Sequence, residues 1–171
     1  MNSTPIEIER KYIIEIPDKE RMRLCEGYSE SEILQIYIES APHVTHRVRR
    51  RKRNGNAVYT ETKKIRIDKR SSYEDEREIS ERDFLSLSDN IKAGTVPIEK
   101  VRHAFDYLGQ TFEIDVYPQW KSSCIMETEL ETRDKCVEFP EFIKIIKEVT
   151  GDNAYSNASM AQNFPVEFNK K

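Results

Sequence analysis

PIEIERKYIIEI (residues 5–16) alternates apolar and polar side chains along its length, the pattern of a half-buried β-strand. Ile8, Tyr12, Ile14 and Ile16 fall on one face, and Glu7, Glu9 and Lys11 on the other. Glu and Lys are poor strand formers, and two carboxylates on one face repel each other. A strand that carries such a row needs a reason for it.

The same feature recurs outward along the chain. EILQIYIES (32–40) alternates, with Ile33, Gln35, Tyr37 and Glu39 in phase. THRVRRRKRNGNAVYTETKKIRID (45–68) reads as two strands joined by Asn54-Gly55, a strong hairpin signal. Arg47 and Arg49 share a face on its first arm, and Thr60, Thr62, Lys64 and Arg66 on its second. YEDEREIS (73–80) aligns Glu74, Glu76 and Glu78. A second hairpin turns at Gly109, with Lys100 and Arg102 on one arm and Glu113 and Asp115 on the other. CIMETELET (124–132) places Glu127, Glu129 and Glu131 together. Helices are expected between and after the strands: a short one in PDKERMRLCEG (17–27), one over 80–90 with Ser80 as N-cap, and one over FPEFIKIIKEVTG (139–151). AYSNASMAQNF (154–164) is a last short helix or turn.

Composition sets the frame. The 171 residues form one domain spanning 1–171, with 37% apolar and 35% charged residues and no low-complexity tract. A net charge of −3 hides 28 basic and 31 acidic residues, so there is no global pull toward nucleic acid or membrane. Three cysteines, Cys25, Cys124 and Cys136, form no C-x-x-C pair and favour reduced thiols in a cytoplasmic protein. His43, His46 and His103 lack zinc-ligand spacing. No apolar run approaches the roughly 20 residues needed to span a bilayer.

Charged residues on the wet face of an antiparallel sheet are ordinarily unremarked. Here their signs segregate strand by strand, whereas solvated faces usually mix them. If the sheet closes into a barrel, every charged row can face inward while the apolar rows face out beneath the helices. Such a lumen is expensive unless something neutralises it. Divalent cations would satisfy the carboxylates, and hard oxygen ligands favour magnesium or manganese. A polyanion would satisfy the Arg and Lys rows, and the two together point to a phosphate chain.

At EIERK (7–11) the chain resembles the E-x-E-x-K signature of the CYTH, or triphosphate tunnel metalloenzyme, superfamily. The resemblance continues in order through QIYI, RVR, the TKK ending at Lys64, YEDE, KVR, FEIDVY, ETELE and EVTGDNAYSN. It implies an α+β fold, mainly antiparallel β: an eight-stranded closed β-barrel tunnel with a charged lumen and flanking helices. It also implies a divalent-metal-dependent enzyme acting on tripolyphosphate, nucleoside triphosphates or thiamine triphosphate. Glu7, Glu9, Glu127 and Glu129 resemble the metal-binding carboxylates, with Glu76 and Asp115 as further candidates. Lys11, Arg47, Arg49, Lys64, Lys100 and Arg102 resemble the phosphate-binding set, and Tyr37 falls near the hydrolysed end. The segment 155–162 would close or line one tunnel end. Many relatives carry Arg where this chain has Ser72; Lys69 or Arg70 is the candidate to reach in instead. Relatives often dimerise, so a homodimer is expected from the resemblance alone.

Together these readings predict hydrolysis of tripolyphosphate to pyrophosphate and phosphate with Mg²⁺ or Mn²⁺. Lys100 and Arg102 would stabilise leaving-group charge, and Tyr37 would act as a proton carrier or as a hydrogen-bonding wall. The alternatives are cyclisation of ATP, as in class IV adenylate cyclases, nucleoside or thiamine triphosphate hydrolysis, a non-catalytic polyphosphate-binding module, and nucleic-acid binding through RVRRRKR (47–53). Alternation counts against the last, because it turns half of those cations into the tunnel.

Overall fold

The computed structural model describes residues 6–68 and 71–168; the side chains of residues 6, 7 and 71 lie outside that description. Among the described residues there are nine strands in one antiparallel sheet: β1 (Ile6–Glu15), β2 (Glu26–Ile38), β3 (Val44–Arg53), β4 (Asn56–Arg66), β5 (Ser71–Ile79), β6 (Ile98–Tyr107), β7 (Gln110–Val116), β8 (Ser123–Glu129) and β9 (Ile145–Glu148). The helices are α1 (Lys19–Arg23), α2 (Glu81–Ser88) and α3 (Asn157–Met160), the last preceded by a 3-10 turn at Asn153–Tyr155. Neighbouring strands run in the order β5-β4-β3-β2-β6-β7-β8-β1-β9. The start of β1 also meets the start of β5, with Ile6, Glu7 and Ile8 opposite Tyr73, Ser72 and Ser71.

Local chemistry accounts for most of these boundaries. Asn54 and Gly55 both adopt positive φ (50° and 82°), as the two-residue turn between β3 and β4 requires. Asp18 caps α1 by accepting from the Glu20 backbone N–H, and Ser80 caps α2 by accepting from that of Asp83. Gly27, expected just past α1, instead lies inside β2 at φ 65°, where the register against β6 shifts. A Cβ there would stand 2.6 Å from an Asp106 carboxylate oxygen, which would have to swing away, and the positive φ itself favours glycine.

The expected helix over 139–151 is absent. Residues 145–148 form β9 instead, with Tyr12 opposite Glu148 and Ile13 opposite Lys147. The adjoining backbone bonds from Glu15 N to Lys144 O and from Val149 N to Lys11 O extend that contact. The β-branched Ile145 and Ile146 suit a strand, and β1 presents an open edge below its short contact with β5. Tertiary pairing therefore overrides the local helical pattern, and the sheet has nine strands where eight are expected.

Apolar rows face outward, as the strand phases predict. Tyr12, Ile14, Phe105, Phe112, Ile114, Cys124 and Met126 form one buried layer beneath Met22 of α1 and Val137, Phe139, Phe142 and Ile143. Ile36, Ile38 and Val48 form a second beneath Phe84 and Leu87 of α2. A third cluster, Tyr37, Ile98, Tyr117, Trp120 and Ile125 with Met160 and Ala161, fills one end of the interior against α3. Each fully buried large side chain contributes about 1.5–3 kcal/mol. Among the described residues no helix is long and apolar enough to cross a membrane.

Candidate active site in the strand-lined cavity

The inward phase of the strands surrounds a cavity of about 1150 Å³. One wall is cationic, because β3 and β4 place Arg47, Arg49 and Lys64 in the same phase. Arg47 donates to Glu74 at 3.0 Å, and Lys64 lies 3.1 Å from the other oxygen of the same carboxylate. Glu76 approaches Arg47 and Arg49 at 3.8 and 4.0 Å and accepts from the Thr62 hydroxyl at 2.7 Å. Arg49 is deeply enclosed. Burial, with the charges of Arg47 and Arg102, pushes its guanidinium down to about 10. Gln35, fully buried, holds it by accepting from Nε and Nη2 while donating to the Tyr37 hydroxyl at 2.6 Å.

The facing wall is carboxylate-rich. Glu9 stands opposite Glu129 and Lys11 opposite Glu127 on β1 and β8, while Glu113 of β7 stands opposite Glu127. Lys11 Nζ sits 2.7 Å from Glu127 Oε1. Burial raises the Glu127 carboxyl, but Lys11, Arg102 and Lys100 more than offset this and hold it well below the usual range. Burial likewise depresses the Lys11 ammonium, and Glu127 and Glu9 overcome that to raise it. Tyr37 lines the cavity, and burial raises its phenol, so it stays protonated and able to donate.

Arg102 bridges the carboxylate wall to a buried layer beneath it. Its Nε and Nη2 each donate to Asp115 at 2.7 Å, Nη1 donates to Glu113, and Nη2 also reaches Glu127 at 3.3 Å. Lys100 donates to Asp115 at 2.5 Å with a side chain 0% exposed. Burial, reinforced by Arg102 and Arg49 and opposed by Asp115, lowers its ammonium to about 8. Of the predicted residues, Lys11, Tyr37, Arg47, Arg49, Lys64, Arg102, Glu9, Glu76, Glu127 and Glu129 line one cavity. Lys100 and Asp115 are paired behind its wall. The Glu7 side chain, Lys69 and Arg70 lie outside the described residues, while the Glu7 backbone pairs with Ser72. Site reading by motif missed Gln35, Glu113 and Arg51, although the two-residue phase that selected their neighbours selects them too.

The carboxylates of Glu9, Glu113, Glu127 and Glu129 are hard oxygen donors on adjoining strands; Arg102 already bridges Glu113 and Glu127, whereas Glu9 and Glu129 stand directly opposite as a like-charged pair that a cation between them would relieve. That chemistry fits magnesium or manganese. Among the described residues no three or more His, Cys, Asp or Glu side chains are already gathered into a metal site, so a cation would have to draw these carboxylates together.

No protein-family model matches the sequence, and no curated protein matches it. Solved structures do. The crystal structure of the inorganic triphosphatase NE1496 is 25% identical, covering 93% of this chain and 96% of that one at a TM-score of 0.60. The PH1819 protein of Pyrococcus horikoshii OT3 is 23% identical over 75% of this chain and 80% of that one, at a TM-score of 0.56. The PH1012 protein of the same organism is 21% identical over 74% and 80%, at 0.55. The two Pyrococcus structures speak for the fold alone. With the inward charged walls, the outward apolar coat and the ordered motifs, this likeness is consistent with a member of the CYTH, or triphosphate tunnel metalloenzyme, superfamily.

Proposed function

We propose that the chain is a phosphoanhydride hydrolase that splits inorganic tripolyphosphate into pyrophosphate and phosphate with magnesium or manganese. The observation that carries the reading is the opposition of Arg47, Arg49 and Lys64 to Glu9, Glu127 and Glu129 across one cavity. The likeness to an inorganic triphosphatase supports it. The eight strands from β5 round to β1, meeting where β1 pairs with β5, act as a tunnel closed about the substrate.

The arginine forks and the Lys64 ammonium hold the phosphate chain extended and fix it before chemistry. Glu9, Glu113, Glu127 and Glu129 would hold the cation, which supplies charge neutralisation and Lewis acidity at the phosphate oxygens when bound. Lys11, held against Glu127, and Arg102, held against Asp115, present fixed positive charge where negative charge gathers on the departing oxygens. Tyr37, fixed by Gln35, donates its proton to a phosphate oxygen as a hydrogen bond. Lys100 acts through Asp115, holding the carboxylate that aims Arg102.

The test is phosphate release from tripolyphosphate, ATP and thiamine triphosphate in parallel, with magnesium, manganese and EDTA. Metal-dependent release from tripolyphosphate, abolished by EDTA, is expected. Cyclic AMP formed from ATP would replace the hydrolase by a cyclase, and no turnover on any of the three sinks the proposal.

A further inference from the structure

Gln35 lies on β2 in the inward phase, opposite Arg49 on β3 and two residues before Tyr37, and is fully buried. Its carbonyl oxygen accepts from Arg49 Nε and Nη2 at 3.3 and 3.2 Å, while its amide nitrogen donates to the Tyr37 hydroxyl at 2.6 Å. The opposite orientation of the amide is chemically excluded. A guanidinium carries donors and no acceptor, so a turned amide would set its own N–H groups against those of Arg49. The direction of the Gln35 amide is therefore fixed by the residue across the ladder.

That direction passes on to Tyr37. A hydroxyl oxygen that receives an amide N–H cannot return its own proton to the same nitrogen. The cations that act on the phenol, Arg47, Arg49 and Lys11, are donors only. Among the described residues the Tyr37 hydroxyl has no acceptor, and it lines the cavity, so its acceptor must come from there. We propose that Gln35 is a positioning residue that sets the direction of the Tyr37 hydroxyl, aiming its proton into the cavity at a phosphate oxygen. Arg49, Gln35, Tyr37 and the phosphate then form a single run of hydrogen bonds, each polarising the next. The inference rests on the triphosphate reading above. It assigns the polarity of this end of the cavity to a neutral side chain that touches no substrate.

The test is a double-mutant cycle on the full chain, read as phosphate release from tripolyphosphate in magnesium. Tyr37→Phe alone is expected to lower kcat/KM by about tenfold or more, the worth of one hydrogen bond to a charged group. In a Gln35→Glu background the carboxylate accepts from both Arg49 and Tyr37 and turns the phenol proton away from the cavity. There the same Tyr37→Phe change should cost less than about threefold. Equal losses in the two backgrounds overturn the inference and leave the triphosphate reading standing. A second measurement needs neither turnover nor the glutamate variant: the Gln35 side-chain amide followed by nitrogen-15 NMR without substrate. Tyr37→Phe removes the acceptor of that amide, so one of its proton signals should move upfield, and an unmoved pair shows that Gln35 does not direct the phenol. If the amide responds but the wild-type chain releases no phosphate from tripolyphosphate, the triphosphate reading falls and takes the phosphate acceptor with it.

Discussion

Replacing Asp115 by Asn separates an anchoring role from a metal-binding one. Asp115 is 0% exposed, and its two oxygens receive three charge-assisted bonds, one from Lys100 and two from Arg102. Asparagine preserves the shape and removes the charge. Lys100 then has no carboxylate within ion-pair distance among the described residues, while Arg102 retains Glu113 and Glu127. Breaking a buried pair by removing one partner costs about 3–5 kcal/mol. For a chain of this length each kcal/mol lowers Tm by about 2–4 °C, so a fall of about 6–20 °C is expected. The assay is thermal and urea unfolding in EDTA. Adding Lys100→Met should recover part of the loss, because the stranded ammonium is gone. An Asp115→Asn variant within about 1 kcal/mol of wild type in EDTA, with its metal-dependent stabilisation abolished, would refute the anchoring argument and make Asp115 a metal ligand.

Other perturbations test other parts of the molecule. Glu127→Gln removes the counter-charge of Lys11 and a donor from the proposed cation site, and should lower phosphate release by about 10²–10³-fold; a loss under tenfold would exclude Glu127 from the chemistry. Glu167 accepts from the backbone N–H groups of Lys121, Ser122 and Ser123, which with the Ser122 hydroxyl pull its carboxyl from 4.5 down to about 2. Its contribution to stability is therefore fully present above about pH 4.5 and fades as pH falls toward 2. Glu167→Gln should lower Tm clearly at pH 6 and much less at pH 3, and an equal effect at both values would contradict the assignment. Met160→Ala opens the packed end of the interior around Tyr117 and Trp120 and should destabilise by about 2–5 kcal/mol in urea unfolding.

Much of this architecture is legible in two-residue phases. The rows Glu9/Lys11, Arg47/Arg49, Lys64 and Glu127/Glu129 all reach the cavity, and the opposite phases supply the outer apolar layers. RVRRRKR divides as alternation requires, with Arg47, Arg49 and Arg51 lining the cavity. Phase says which face a residue takes but not how deep it lies. Lys100 and Arg102 look equivalent in sequence, yet Arg102 borders the cavity and Lys100 sits sealed behind Tyr117, 5.7 Å from its ring. The motif at Asp115 gives no sign that two cations already hold it. Residues 145–148 misled for a different reason: their pairing partner is more than 130 positions away, where no local window reaches.

That same distance governs how the chain comes together. The partners of β1 lie in β5, β8 and β9, and Glu9 meets Glu129, 120 positions further on, only once that stretch has been made. At about 5–20 residues per second, β1 waits on the order of ten seconds during synthesis before its main neighbour emerges. A waiting strand that reads IEIERKYIIE would be a template for other chains if it were apolar on both faces. Glu9 and Lys11 interrupt it at alternate positions and keep the nascent segment solvated. The charges that later line the cavity therefore act first as gatekeepers against self-association, before there is any cavity to line.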